Sequence, residues 1–324
     1  MEHEKILRER PCQERGTDPG KEIPLGKRLM LRFGLRTGRD VVEFAVKALF
    51  LLCGFVAVAC VLFISIYLVV SGLPAILEIG VTDFLFGDTW APKQEAYGIL
   101  PFILTSVAGT GGAVLIGVPV GILTAMFLAK VADNRVAAVI RAAVSLLAGI
   151  PSVVYGLVGM VVLVPGIQKL FNLPSGANLL AAIVVLAIMI LPSIINVAET
   201  SLRAVPKEYE EASLALGATH IETIFRVSLP AARSGVATAI VLGVGRAIGE
   251  AMAIIMVSGN VANMPGSLFT PVRFLTTAIA SEMNYAPMGS LWKQSLFSIG
   301  LVLFLFIMLI NVILNVFIKN KKEG

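Results

Sequence analysis

Two charged residues stand four apart inside an otherwise uncharged stretch: Arg246 and Glu250 interrupt the run from Ser234 to Val272. A lone charge at the middle of a membrane-crossing helix costs roughly 2.5–3.5 kcal/mol on insertion scales, so it must face protein or water and marks a functional position by default. A guanidinium offers a planar fork of donors that matches the oxygens of phosphate, whereas a carboxylate repels an anion unless it is neutralised or protonated. At a spacing of one helical turn the two residues share a face and can pair. The chemistry this suggests is a switchable Arg246–Glu250 pair gating an anion pathway. A permanent ion pair that locks two helices together is the plainer alternative.

Catalytic sets are missing elsewhere in the chain. Its only histidines are His3 and His220, and neither a His/Cys cluster for a metal nor a Ser/His/Asp set proposes itself. The nearest approach to a phosphate loop, Gly16 to Glu22, is one residue short between its glycines and lacks the Ser or Thr after Lys21. The chain is therefore expected to be no enzyme, to hold no metal or cofactor of its own, and to depend on a partner for any ATP hydrolysis.

The elements that position Arg246 and Glu250 follow from composition. Of 324 residues 57% are hydrophobic and 15% are charged, more apolar than a soluble domain. Charge-free runs cover Ala48 to Gly72, Ile99 to Ala129, Ala142 to Gln168, Leu170 to Ala198 and Gln294 to Ile318. Each exceeds the ~20 residues that cross a bilayer. Without water in the hydrocarbon, segments lacking strand alternation must satisfy their backbone as helices. With the run that holds Arg246, an all-α membrane protein of six transmembrane helices is expected.

Basic residues set the expected orientation. Of the 26 Lys and Arg, 21 fall in the segment through Lys47, the loops after the second and fourth spans, and the C-terminal tail. The alternate loops hold Lys93, Lys169, Arg273 and Lys293. By the positive-inside rule both termini are cytoplasmic, and the net charge of +5 reflects topology rather than nucleic-acid binding. The expected organisation is a basic cytoplasmic arm over 1–40, a transmembrane domain over 41–318 with a cytoplasmic loop over 205–230, and a tail over 319–324. The arm lacks the apolar core of a cleavable signal peptide. Lys27, Arg28, Arg32, Arg36 and Arg39 interleave there with Leu25, Leu29, Met30 and Phe33, which suits either a basic amphipathic helix on lipid headgroups or an unstructured flank. Cys53 and Cys60, inside the first span, read as small apolar residues.

The 205–230 loop carries its own signals. Pro206 suits a first helical position, Glu208, Glu210 and Glu211 place negative charge at a helix N-terminus, and Gly217 offers a left-handed stop. Thr219 and Glu222 then form a capping box, and Pro230 marks entry into the membrane. Tyr209, Ala212, Ser213 and Leu216 fall at i, i+3, i+4 and i+7, a face that could seat in another protein's groove. Two membrane-surface helices without a partner would read the same way.

These residues resemble a known family. Glu211-Ala212-Ser213, Gly217 and Val227-Ser228-Leu229-Pro230 match the EAA loop of bacterial ATP-binding-cassette importer permeases in spacing, with Ser for the second Ala and Val for Ile. The resemblance implies the type I importer permease fold, and it implies that Glu210, Glu211, Ala212, Gly217 and Pro230 form a coupling helix docking on an ATPase subunit. More narrowly, Ala148 through Gly156 and Gly245-Arg246-Ala247-Ile248-Gly249-Glu250 look like the phosphate-specific transport permeases. Met252-Ala253, Val257 through Asn260 and Ser267 through Arg273 favour the PstC type. Ala251 departs from the Thr common after that Glu. The resemblance spans about residues 40–318 and implies a phosphate-importing permease of the bacterial inner membrane. Its implied partners are a PstA-type second permease, a PstB-type ATPase dimer and a PstS-type phosphate-binding protein, with no nucleic acid. A permease for sulfate or molybdate, and an ion-coupled secondary transporter or channel, are the competing readings.

Other features are read plainly. Gly117 with Gly121, and Gly245 with Gly249, are small-xxx-small pairs expected to let helices approach closely. Pro119, Pro151 and Pro192 are expected to kink or unwind their spans. Met252 and Met256 read as core filler. Glu78 to Gly98, with Trp90 and Tyr97, reads as an interfacial helix or a plain connection.

Overall fold

The computed structural model describes residues 38–320. The expected arm and its amphipathic pattern fall almost wholly before residue 38 and the tail's last four residues follow 320, so both lie outside the described residues. The chain divides into two units, one ending at Ile64 and the other beginning at Ser65. Helix α1, Gly38–Ile79, runs through that boundary. Its portion in the first unit exposes Leu51 and Phe63 along with many other apolar side chains, as suits a helix whose solvent is lipid. Cys53 and Cys60 lie there as free thiols.

The second unit is a helical bundle. After α1 come α2 (Val81–Phe86), a two-stranded hairpin pairing Trp90 with Tyr97, and α3 (Leu100–Met126). Two helices follow, α4 (Asn134–Gly149) and α5 (Ser152–Val158), the latter continued through a π-helical turn into α6 (Val164–Leu170). Next are α7 (Leu179–Arg203), α8 (Lys207–Ala215), α9 (His220–Thr223) and α10 (Leu229–Ala231). The chain closes with α11 (Arg233–Gly249), α12 (Met252–Val257), α13 (Leu275–Glu282) and α14 (Leu291–Asn320). Five of the described helical segments are long and apolar enough to cross a membrane. A sixth comes from joining His220–Ala231 to Arg233–Gly249 across a 75° bend. The described residues thus hold five candidate spans, or the expected six with the bent pair as one, and two of them have different limits.

Helix α7 is the centre of the bundle, with fifteen buried residues between Leu179 and Leu202. Helix α3 lies against it on a glycine stripe. A Cβ on Gly117 would come 2.7 Å from Ile190 Cδ1, and one on Gly121 the same distance from Ile194 Cγ2. A side chain at either position would force these isoleucines to shift, so this pair does what its spacing suggested. Gly245 and Gly249 do not: a Cβ at either meets nothing within 4 Å. On α11 it is Gly243 that packs, its added Cβ falling 2.8 Å from Ile194.

Of the three prolines named above, only Pro151 sits at a break. Proline disfavours the helical conformation in the residue before it, and Ile150 is extended at ψ 127°. Thus the run expected as one span over Ala142 to Gln168 is split, and the span proper is Ser152–Leu170. Pro119 and Pro192 lie inside α3 and α7, which continue past them. The segment Glu78 to Gly98 is not one helix: it holds the end of α1, the six-residue α2 and the hairpin. Trp90 and Tyr97 are buried at the hairpin, with Trp90 tilted on Phe102 at 5.5 Å between centroids.

Candidate functional site

The run from Ser234 to Val272 departs most from a simple span. Helix α11 ends at Gly249, Glu250 is extended (φ −73°, ψ 131°), and the chain resumes as α12 from Met252. The break is built from side chains. Glu250 Oε1 accepts the amide of Ala253 at 3.0 Å, and the Glu250 carbonyl accepts the hydroxyl of Thr276 on α13 at 2.7 Å. Helix α12 packs on α5, where a Cβ on Gly156 would come 2.8 Å from Ala253 Cα. The piece restarted after Pro151 and the piece restarted after Glu250 thus lie side by side.

Beyond α12 the chain folds over the start of α7. Thr270 and Leu268 carbonyls accept the amides of Leu179 (3.1 Å) and Leu180 (2.8 Å), which a helix N-terminus leaves without partners. Asn178 Oδ1 caps the same end by accepting from Ala181 N at 3.0 Å. Gly259, at φ 84°, fits against Pro271 and the Ala177 carbonyl, where a side chain would clash.

Arg246 and Glu250 therefore do not form the expected pair. Pairing at one turn requires an unbroken helix, and the helix stops one residue before Glu250, whose carboxylate turns forward to Ala253. Arg246 instead donates through Nη1 to Ser193 Oγ on α7 at 3.3 Å. Among the described residues it has no carboxylate partner. Its face is open, with Gly245 and Gly249 beside it. Arg246 sits in the last turn of α11 rather than at its middle, and the arrangement can present an uncompensated guanidinium at that helix end to an anion or to another chain.

The loop between α7 and α11 matches its expected parts. Gly217 takes φ 88° after α8, and Thr219 and Glu222 form the capping box in both directions. Pro230 lies within α10, just before the 75° bend into α11. The outward face of α8 is apolar: Tyr209 is 57% and Leu216 90% exposed, with Ala212 and Glu211 exposed beside them. Ser213 points inward to Thr223 at 2.9 Å. Ile221 and Phe225 extend the apolar face, a contribution missed in the sequence because a four-residue helix shows no periodicity. Glu210 is also turned inward, where it accepts Ser228 Oγ at 3.0 Å and pairs with Lys130.

A second polar centre was not foreseen. Glu282 accepts the indole N–H groups of Trp90 (3.0 Å) and Trp292 (2.8 Å) and pairs with Arg273. Arg273 also donates to the Asn260 carbonyl through Nη2 at 2.8 Å, fastening the 258–274 segment to α13. A solitary Arg and Glu nine residues apart gave no sign of this, because the fold brings the two tryptophans from 192 and 10 residues away.

A bundle of helices long and apolar enough to cross a membrane, with a cation at an internal helix break and an exposed two-helix loop, defines a membrane permease. The chain belongs to the family of binding-protein-dependent transport system inner membrane components, whose model matches residues 117–321. It is 41% identical over 284 residues to the probable ABC transporter permease protein YqgH of Bacillus subtilis, covering 85% of this chain and 92% of that one. It is 35% identical to the phosphate transport system permease protein PstC of Haemophilus influenzae, with the same two coverages. Among solved structures, an inward-facing MetNI methionine ABC transporter superposes with a TM-score of 0.55 at 18% identity, covering 72% of this chain and 99% of the other. That likeness establishes the type I importer permease fold.

Proposed function

We propose that this chain is one of two membrane-spanning subunits of an ATP-driven importer that passes inorganic phosphate into the cytoplasm. The observation that carries the reading is Arg246, a guanidinium at the helix break, bonded to a neutral hydroxyl and to no carboxylate among the described residues. A fork of donors with no carboxylate to neutralise it suits a tetrahedral oxyanion, and the names of the PstC relatives narrow the anion to phosphate. The open face beside Gly245 and Gly249 is where a PstA-type permease would complete the pathway. The apolar face of α8 would dock on a PstB-type ATPase, which binds and hydrolyses the ATP. Affinity for phosphate would reside mainly in an extracytoplasmic PstS-type binding protein. In this reading both termini and the α8 loop are cytoplasmic, in a bacterial inner membrane.

The test is uptake by the four-component complex in liposomes, with labelled phosphate outside and ATP inside. Phosphate import that competing sulfate and molybdate leave unchanged is expected. Import of sulfate or molybdate in its place would overturn the substrate, and import without ATP would point to a secondary transporter.

A further inference from the structure

Helix α8 is tied to the rest of the protein by charge at Glu210, whose carboxylate faces Lys130. The Lys130 side chain is only 10% exposed, so this is not a solvated surface pair. Lys130 belongs to a π-helical turn, Phe127–Val131, that ends α3. In that turn the amide of Ala132 reaches back five residues to the Phe127 carbonyl at 2.8 Å. Such widened turns recur at functional positions.

Two guanidiniums meet at the next carbonyl of the same turn. Leu128 O accepts Arg203 Nη2 at 2.8 Å and Arg141 Nη2 at 3.4 Å. Both arginines donate through Nε to Glu199 Oε1, at 2.8 and 2.7 Å, and the Glu199 side chain is 8% exposed. Charge-assisted bonds therefore run without a gap from α8 to α4 and α7, all through one turn of α3. Farther along α7, Ser193 lies six residues from Glu199, about 9 Å along the helix axis, and it is Ser193 that holds Arg246.

We propose that the turn Phe127–Val131 receives the motion delivered to α8 and passes it through Glu199 to the Ser193–Arg246 contact, with Lys130 and Glu199 as its positioning residues. The inference rests on the reading of α8 as the ATPase-docking helix. Elsewhere α3 packs on α7 where Gly112, Gly117 and Gly121 meet Ile183, Ile190 and Ile194 too closely for the helices to slide independently, so displacement of the turn displaces α7 with it. Glu210 adds the directional element, an ionic link from α8 to a largely buried Lys130.

The test uses the assembled complex in liposomes and reads ATP hydrolysed per anion imported. Lys130→Met, which keeps length and apolar stem, should hydrolyse ATP at close to the normal rate while the ATP used per phosphate rises by about five-fold or more, the low end of site-to-site coupling. Lys130→Arg should restore the ratio, and so should the exchange of Lys130→Glu with Glu210→Lys. A merely structural bond predicts reduced assembly with an unchanged ratio in the complexes that form, and that result would overturn the proposal. A second readout needs no cargo. Spin labels at Glu208 on α8 and Val131 on the turn should keep one separation with and without ATP in the parent complex, and a broadened separation in Lys130→Met. A parent separation that changes with ATP would also overturn the relay. Failure of phosphate uptake alone would touch only the substrate, since the comparison of separations requires ATP but no anion.

Discussion

The Arg246 guanidinium, in the last turn of α11, donates to the Ser193 hydroxyl on α7 at 3.3 Å. A hydroxyl accepts a hydrogen bond without cancelling charge, so the cation keeps its field for whatever enters the open face. Arg246→Gln should therefore abolish phosphate uptake while the complex still assembles and hydrolyses ATP. Arg246→Lys should restore only part, because an ammonium lacks the bidentate fork. Full uptake by a well-assembled Arg246→Gln complex would remove the anion role.

Glu250 is predicted to behave as a helix-restart residue. Because a glutamine oxygen can accept the Ala253 amide equally well, Glu250→Gln should leave the thermal stability of the purified subunit unchanged, whereas Glu250→Ala should lower it by ~1 kcal/mol, the usual worth of a side-chain cap. Equal destabilisation by both substitutions would mean that the negative charge, not the acceptor, is what the break needs.

Coupling at α8 has two separable tests. Gly217 sits at φ 88°, which proline cannot adopt, so Gly217→Pro should reshape the loop and uncouple ATP hydrolysis from uptake. Glu211→Lys leaves the backbone alone and reverses a charge on the exposed face; it should weaken ATPase capture in a pull-down. Normal uptake in both variants would sink the docking assignment.

The two glycine pairs should respond in opposite ways. Gly117→Leu drives a side chain into Ile190 and should destabilise the isolated subunit by ~1–3 kcal/mol, as overpacking does. At Gly245 nothing lies within 4 Å. Gly245→Ala should leave the isolated subunit folded, or stabilise it slightly, yet reduce its association with the second permease in co-purification.

Orientation is open to direct measurement. A reporter fused after Lys207 should read cytoplasmic, and reporters near Lys169 and Lys293 external, following the distribution of basic residues. Reversal at two of these sites would require the spans to be redrawn.

The membrane class, the number of spans, the capping box at Thr219 and Glu222 and the left-handed Gly217 were legible in the residues themselves. Each depends on neighbours within a turn or on the demand that a backbone in lipid satisfy itself locally. Pro151 was legible for the same reason, although not that it alone of three prolines would end its helix. The break at Glu250 was not legible, since no proline or glycine pair marks it and its stability comes from Thr276, 26 residues on. Nor was the inward turn of Glu210, which distinguishes it from Glu211 only because Lys130 waits 80 positions earlier at the end of α3. Local rules of composition and spacing decide which segments become helices. Where a helix stops in mid-membrane, and which carboxylate meets which cation, is decided by side chains that only the packed bundle brings within hydrogen-bonding distance.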